Sequence, residues 1–414
     1  MIDIFGADNF KSLVDFEMPL SRFNVLIGMN GAGKTTILQA LDFLSQLMHG
    51  KVDDWLENRN WTAADLSSKL LSTSDIRLTA GITELIEEQR SVISWSGTFN
   101  RRGLACMNEV ALATAPNSST DKFSPELQLI ALGQQYKLGE APTQKITFTY
   151  QGSILSQLVD SELTPELRIL RDRLRNIRSL ELLSPHLMRQ KARGGADDIG
   201  FGGEKLSSFL STIKGEAKRE LIALLKEFYP RIVDLKASAT KGGWKRLAIV
   251  EDFNGKLIES EARHMNDGLL RMLAILAQSK TDRSLLIFDE IENGINPELV
   301  EKLVKLLSHS EQQMIVTTHS PMILNYLDDA TAREAVKFVY KTPEGYTRVR
   351  RFFDIPRIGQ KLDYMGAGEA FVDTDLVALT EECIALDRAE PPKEQHNLEK
   401  LKAMAKPSRK KAPK

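Results

Sequence analysis

Gly28-Met29-Asn30-Gly31-Ala32-Gly33-Lys34-Thr35 spells G-x-x-x-x-G-K-[ST], and its setting carries as much information as the pattern. Before it lies the apolar run Phe23–Ile27, which predicts a buried strand. After it, Ile37, Leu38, Leu41, Leu44 and Met48 recur at helical spacing and predict a helix from Lys34 to about Met48. A strand, a glycine turn and a helix N-terminus converge backbone N–H groups on an anion, with positive helix-end potential behind them. Asn30, Gly31, Ala32, Gly33, Lys34, Thr35 and Thr36 are thus expected to cradle a nucleotide's phosphates. Lys34 would reach the β- and γ-phosphates, and the Thr35 hydroxyl would ligate Mg²⁺. A chance lysine after a glycine turn is the bland alternative, and the flanking strand and helix argue against it.

Three further stretches gain meaning from this one. Ser284-Leu285-Leu286-Ile287-Phe288-Asp289-Glu290 is an apolar strand ending in two acids. Alone it reads equally well as a buried strand running into a solvated turn. Paired with the phosphate loop it makes Asp289 a Mg²⁺ residue and Glu290 the group that polarises water. Val316-Thr317-Thr318-His319-Ser320 ends another predicted strand. A lone histidine there is more often structural, but one helix and one strand beyond the acids His319 has the place of a γ-phosphate sensor. Met265-Asn266-Asp267-Gly268-Leu269 opens the helix before the acidic strand. Read alone it is an N-cap; in its place in the chain it resembles the signature loop of ABC-type ATPases, which implies that Asn266, Asp267 and Gly268 grip a phosphate.

The rest of the chain supplies strands at Met1–Phe5, Leu13–Phe16, Ile82–Leu85, Val92–Phe99, Lys145–Tyr150, Leu247–Phe253 and Gln313–Thr317. Helices are expected over Pro165–Arg178, Glu204–Phe228, Asp267–Ser279, Pro297–Leu307 and Pro321–Leu327. Ala115–Ser124 reads as a surface loop, Ala192–Gly203 as a mobile glycine-rich loop, and the Lys/Arg-rich tail from Lys400 as disordered. No heptad run is long enough for a long coiled coil. Of 414 residues 27% are charged and 42% hydrophobic, with formal net charge −1, so no overall basicity announces nucleic acid. Cys106 and Cys383 lack metal-ligand spacing and read as free thiols. No secretion signal or membrane-spanning run is evident, and a cytoplasmic location is expected.

In this order the motifs resemble the ABC-type ATPase heads of the SMC, RecF and OLD-like group. The match lies in Met1–Met48, Ala262–Leu306 and Met314–Leu324. That resemblance implies an α/β P-loop NTPase of ABC-head type, with a mixed β-sheet, flanking helices and a mixed or helical insertion. The expected division is 1–50 and 51–160 for the first part of the head and 161–240 for a helical insertion. The head's second part would be 241–345, followed by a C-terminal extension over 346–399 and a basic tail over 400–414. It also implies a composite site, in which ATP at Lys34 of one subunit is capped by Asn266 and Gly268 of another. Glu292-Asn293-Gly294-Ile295-Asn296-Pro297 resembles the D-loop, although Asn296 stands where histidine is common. Asn266 likewise stands where serine is usual. No residue identifies a Q-loop; Gln128, Gln134, Gln144 and Gln151 all qualify by region.

The function implied is that of an ATPase working as a head-to-head homodimer or higher oligomer. It would control a separate effector nuclease or toxin, as in anti-phage defence, with DNA or another nucleic acid as a candidate ligand. A RecF-like repair clamp without an effector is the alternative. A transporter subunit is disfavoured by the degenerate Met265–Leu269 loop, and no membrane partner is expected. Arg168, Arg171, Arg173, Arg175 and Arg178, followed by Arg189, Lys191 and Arg193, read either as a solvated charged helix or as a phosphate track. Asp373-Thr374-Asp375 with Glu369 has the form of an Asp-x-Asp metal motif, but the acids lie too close in sequence for separate strands, which favours a structural role.

Overall fold

The computed structural model describes residues 1–86, 89–114 and 125–389. The loop expected at Ala115–Ser124 and the tail from Lys400 fall outside them. Strands β1 (Ile2–Asp8), β2 (Phe16–Pro19) and β3 (Phe23–Ile27) lead into α1 (Lys34–His49) and α2 (Val52–Asn58). A meander follows through β4 (Ile76–Ile86), β5 (Gln89–Asn100), β6 (Ala105–Thr114), β7 (Glu126–Leu132), β8 (Gln135–Leu138) and β9 (Gln144–Lys145). Next come α3 (Pro165–Arg175), β10 (Ile177–Ser179), α4 (Pro185–Met188), β11 (Ala192–Arg193), α5 (Leu206–Thr212) and α6 (Gly215–Phe228). Strands β12 (Ile232–Ala239), β13 (Trp244–Phe253) and β14 (Lys256–Glu261) precede α7 (Asp267–Ser279) and β15 (Leu285–Phe288). The chain continues with α8 (Pro297–Ser308), β16 (Met314–Thr317), α9 (Pro321–Asn325), α10 (Asp329–Ala335), β17 (Val336–Lys341) and β18 (Thr347–Arg351). Helices α11 (Pro356–Gly359), α12 (Ala367–Val372) and α13 (Leu376–Ala389) complete it.

The central sheet runs β10-β15-β16-β3-β17-β18, with every pair parallel except the last. Its interior strands β3, β15 and β16 read as largely apolar runs because both faces are covered, whereas the edge strands β10 and β18 carry arginines. Val25, Ile27, Leu286, Phe288, Val316 and Phe338 face one core, which includes α7 and α8. Leu26, Leu285, Ile287, Ile315 and Val339 face the other, which includes α1 and α3. An eight-stranded antiparallel sheet, β2-β1-β4-β5-β6-β7-β8-β9, packs on the α1 side. A smaller sheet is built on β13, with β12 along one edge and β11 and β14 sharing the other. Fold class is therefore α/β with mixed sheets and flanking helices.

Several expected elements are corrected. The strand foreseen at Leu13–Phe16 starts only at Phe16, because Lys11 and Asp15 have φ of 49° and 47° and turn the chain. That foreseen at Lys145–Tyr150 ends at Lys145; Phe148 and Tyr150 meet edge-to-face with ring centroids 6.0 Å apart, and the Tyr150 hydroxyl donates to the Cys106 carbonyl. The helix expected over Pro165–Arg178 stops at Arg175, and Ile177–Ser179 crosses into the central sheet beside β15. The helix expected over Glu204–Phe228 breaks between Thr212 and Gly215. Ala192–Gly203 is pinned rather than free: β11 pairs with β13, Ser208 Oγ donates to the Gly194 carbonyl at 2.6 Å, and Arg178 donates to that of Gly200. Residues 161–240 thus contain a strand of the central sheet and two of the small sheet, and 346–399 begins inside the β17–β18 hairpin.

Cys106 and Cys383 are free and buried. Beside Cys106, the fully buried Glu109 of β6 accepts from Trp95 Nε1 at 3.1 Å, from Ile154 N at 2.6 Å and from the Ser153 hydroxyl. Burial raises its pKa from 4.5 to about 7 against the opposing pull of these donors. The folded state therefore binds more protons than the unfolded between these values, and stability falls as pH rises from about 4.5 to about 7. The loss should be on the order of 3 kcal/mol. Urea midpoints at pH 5 and pH 8 should show it in the wild type, and Glu109→Gln should be flatter; parallel pH profiles would show that Glu109 does not titrate there.

Candidate functional site

The N-terminus of α1 and the C-terminal ends of β3, β15, β16 and β17 converge on a cavity of about 280 Å³. Asn30, Gly31, Ala32, Gly33, Lys34, Thr35 and Thr36 line it together with Asp289, Glu290 and His319. The loop needs its glycines. Gly33 has φ of 110°, and a Cβ there would stand 2.2 Å from the Thr347 hydroxyl. That hydroxyl donates to the Ala32 carbonyl at 3.0 Å and bonds to Ser12 Oγ at 2.8 Å, so β18 props the loop from behind. Lys34 is 6% exposed, and its Nζ donates to the carbonyls of Gly28 (2.8 Å) and Met29 (3.3 Å). Burial lowers its pKa, with Asp289, Glu290 and Glu292 pulling the other way.

The acids are held by β16. Asp289 accepts from Thr317 Oγ1 at 2.5 Å and from Thr35 Oγ1 at 3.1 Å, which brings the loop hydroxyl and the strand-end carboxylate together. Thr317 Oγ1 also accepts from the backbone N–H of Glu290 at 2.8 Å. Glu290 has φ of 48°, a conformation that costs a non-glycine residue energy and recurs at functional sites. Its Oε1 is 3.8 Å from His319 Nε2, and its Oε2 accepts from Asn293 at 3.4 Å. Glu292 accepts from the backbone N–H of His319 at 3.0 Å and from the Thr318 hydroxyl at 2.9 Å. An all-oxygen set at Thr35 and Asp289 suits a hard divalent cation such as Mg²⁺.

Asn266, Asp267 and Gly268 line no part of this cavity. The Asn266 side chain caps α7 by accepting from Leu269 N at 2.8 Å. Asp267 pairs with Arg189 at 2.6 Å, and Arg189 also donates to the Met265 carbonyl at 2.8 Å. A Cβ on Gly268 would lie 2.4 Å from the Gly294 carbonyl, so the two loops are in contact. None of Gln128, Gln134, Gln144 and Gln151 lines the cavity either. They lie along the eight-stranded sheet or its exit, and Gln128 accepts from the Thr164 hydroxyl.

Sequence reasoning missed Ser12 and Lys341, which line the cavity, and Thr317, Thr347 and Glu292, which hold its walls. A second cavity of about 590 Å³ shares Ser12 and Lys341 with the first. Trp61 lines it, under the Lys11 ammonium 3.4 Å from the ring centroid. Burial lowers the Lys11 pKa to about 8, with Arg59 adding to the effect.

A family model described as "AAA ATPase domain" matches residues 1–105. Another, described as "AAA domain, putative AbiEii toxin, Type IV TA system", matches residues 151–325. The chain is a P-loop ATPase. No curated protein matches it. Solved structures similar to the ATPase include an SMC head bound to the C-winged helix domain of ScpA, at 17% identity over 84% of this chain and 96% of that one, TM-score 0.48. The Thermotoga maritima SMC head domain follows at 12% identity, 84% and 98% coverage and TM-score 0.44. An SMC head with an extended coiled coil, bound to the C-terminal domain of ScpA from Pyrococcus furiosus, is similar at 14% identity, 87% and 99% coverage and TM-score 0.43.

The arginines from Arg168 to Arg178 each have a partner within the protein, although Arg168 is exposed and Arg173 partly so. Arg168 donates to the Asp160 carbonyl, and Arg171, 4% exposed, pairs with Asp160 and Asp172. Arg173 pairs with Glu84, Arg175 donates to the Met48 carbonyl, and Arg178 pairs with Asp198. For Arg168–Arg178 these internal partners favour a structural role over a phosphate track. The Asp-x-Asp acids are likewise employed: Glu369 accepts from Gly366 N, Asp373 pairs with Lys361, and Asp375 accepts from Val377 N at the start of α13. Among the described residues no helix is long and apolar enough to cross a membrane.

Proposed function

We propose that the ATPase is a nucleotide-gated switch whose complete site forms between two copies. One observation carries this reading: the phosphate loop, Asp289, Glu290 and His319 share one cavity, while Asn266–Gly268 sit elsewhere at the start of a 13-residue helix. A helix start offers N–H groups and positive potential to a phosphate, and here it has none to grip within its own chain. In the assembled site the backbone of Asn30–Thr36 and the Lys34 ammonium would hold the β- and γ-phosphates. Thr35 and Asp289 would hold Mg²⁺, which would neutralise phosphate charge. Glu290 would accept a proton from the attacking water, and His319 would orient it beside the γ-phosphate. Asn266, Asp267 and Gly268 of the second copy would cap that phosphate, with the contact between Gly268 and Gly294 joining signature and D-loop. The base and ribose would extend toward the Lys11–Trp61 cavity.

The head would comprise 1–160 and 241–345 together with strands β10 and β18 of its central sheet, with the rest of 161–240 and 346–399 as additions. ATP binding would close two heads and hydrolysis reopen them, gating a separate effector nuclease or toxin in a nucleic-acid-sensing or anti-phage system in the cytoplasm. The toxin–antitoxin wording of the family matching 151–325 supports that context. A repair clamp without an effector is the alternative reading.

The test is complementation. Lys34→Met removes phosphate binding, Gly268→Ala spoils the cap, and each variant alone should be inactive. Mixed, half the dimers carry one intact loop facing one intact cap, so about a quarter of wild-type hydrolysis should return. No recovery from folded variants that exchange subunits would defeat the shared-site mechanism.

A further inference from the structure

The small sheet carries a surface that the nucleotide chemistry does not use. Trp244 opens β13 and is 39% exposed, whereas Trp55 and Trp95 are fully buried and Trp61 is half-buried under Lys11. In the β11–β13 register Arg193 stands opposite Trp244, with its guanidinium 4.7 Å from the ring centroid. Lys191 lies two residues before Arg193, and Lys241 sits in the turn before Trp244, whereas Lys245, paired with the buried Ala192, belongs to the other face of the sheet. No ion pair holds Arg193, Lys191 or Lys241 among the described residues. Gly242 and Gly243, at φ of 78° and 77°, keep the turn free of side chains, and a Cβ at Gly242 would meet the Trp244 ring and Arg193.

The neighbouring charges do not cancel this patch. Further along the sheet, Glu259 is shared by Lys236 and Arg246, and Glu261 by Arg246 and Arg263. Three cations thus surround these two acids. Arg189, which clamps the Met265–Asp267 loop, is two residues from Lys191, so a ligand here would press on the segment that positions that loop.

We propose that the Arg193–Trp244 stack and the cations Lys191 and Lys241 form a binding surface for single-stranded nucleic acid. The cations track phosphates, and the exposed indole and guanidinium planes offer stacking faces to bases, which a duplex keeps inside. This names the ligand class for the sensing role proposed above and rests on that reading for its purpose. The binding itself requires neither ATP nor a dimer.

The experiment titrates the full-length, nucleotide-free protein with a 20-nucleotide thymidine oligomer and follows tryptophan fluorescence and anisotropy of the labelled oligomer. Quenching is expected, and with three cations engaged the affinity should fall about 20-fold between 50 and 200 mM salt. Trp244→Phe should lose the quenching and keep most of the affinity, while Trp244→Ala should weaken binding roughly tenfold. Lys191→Glu/Lys241→Glu should abolish binding to the patch, which separates it from the basic Lys400–Lys414 segment. Circular dichroism of each variant serves as the control for folding. Undiminished affinity in the charge-reversal variant, or equal affinity for a duplex of the same length, would overturn the assignment. Because the readout omits nucleotide, failure here leaves the Lys34 and Gly268 complementation result standing, and the reverse also holds.

Discussion

Glu290→Gln will keep ATP bound and lower the steady-state hydrolysis rate by roughly 10²–10⁴-fold. Glutamine preserves the size of the side chain and its oxygen acceptor toward Asn293, and it leaves the Thr317-held backbone untouched. What it loses is the ability to take a proton from water. The phosphate-binding parts, Lys34 and the loop before it, are unaffected, so nucleotide should be retained while turnover stops. If closure of two heads follows ATP binding, the trapped protein should show the solution mass of a dimer or a larger assembly in ATP and revert in ADP. Added DNA should raise the wild-type rate if nucleic acid is the signal. A variant hydrolysing within about threefold of wild type would move the base elsewhere. Glu292 would then come first, since its Oε2 is buried and has no hydrogen-bond partner among the described residues. A wild type that hydrolyses no ATP, with a variant that neither retains nucleotide nor changes mass, would leave only a partner-dependent or scaffold role.

How much of this was readable beforehand depended on how local each signal is. The β3–loop–α1 unit is legible because an apolar run, a glycine turn and a helical period occur in one stretch, and the strand bounds Phe23–Ile27 and helix start Lys34 are those expected. The strand before Asp289 and the helix from Asp267 to Ser279 were legible for the same reason. Ser12 and Thr347 were not, because they meet across 335 residues and neither has a spacing that marks it. Thr317 was quoted with the histidine motif, yet nothing in its sequence context says that its hydroxyl fixes both Asp289 and Glu290. The arginines of α3 misled for a related reason: periodicity says which side of a helix a residue occupies, not whether a carbonyl or carboxylate waits there. Arg171 sits on a charged-looking helix and is nearly buried.

Arg59 is the strongest example of a residue invisible to pattern reading, and Arg59→Met should cost roughly 3–5 kcal/mol of unfolding free energy. Its Nη2 lies 2.8 Å from Asp42 Oδ2 and 2.9 Å from Glu181 Oε2, and all three side chains are at most 7% exposed. Trp55 Nε1 donates to the same Asp42 oxygen at 2.6 Å, and Gln39 donates to Glu181 at 2.8 Å while accepting from Lys11 at 2.8 Å. This one guanidinium therefore joins α1, α2 and the segment after β10 to the turn that borders the nucleotide cavity. Without it two carboxylates remain buried with no cation between them, and each must be desolvated as a charge or take up a proton. The cost should be largely recovered by adding Asp42→Leu and Glu181→Leu. Urea unfolding of the single and triple variants checks both statements. A loss under about 1 kcal/mol for Arg59→Met would mean that water reaches Asp42 and Glu181, and that the link between the P-loop helix and the Lys11 turn is not held by charge.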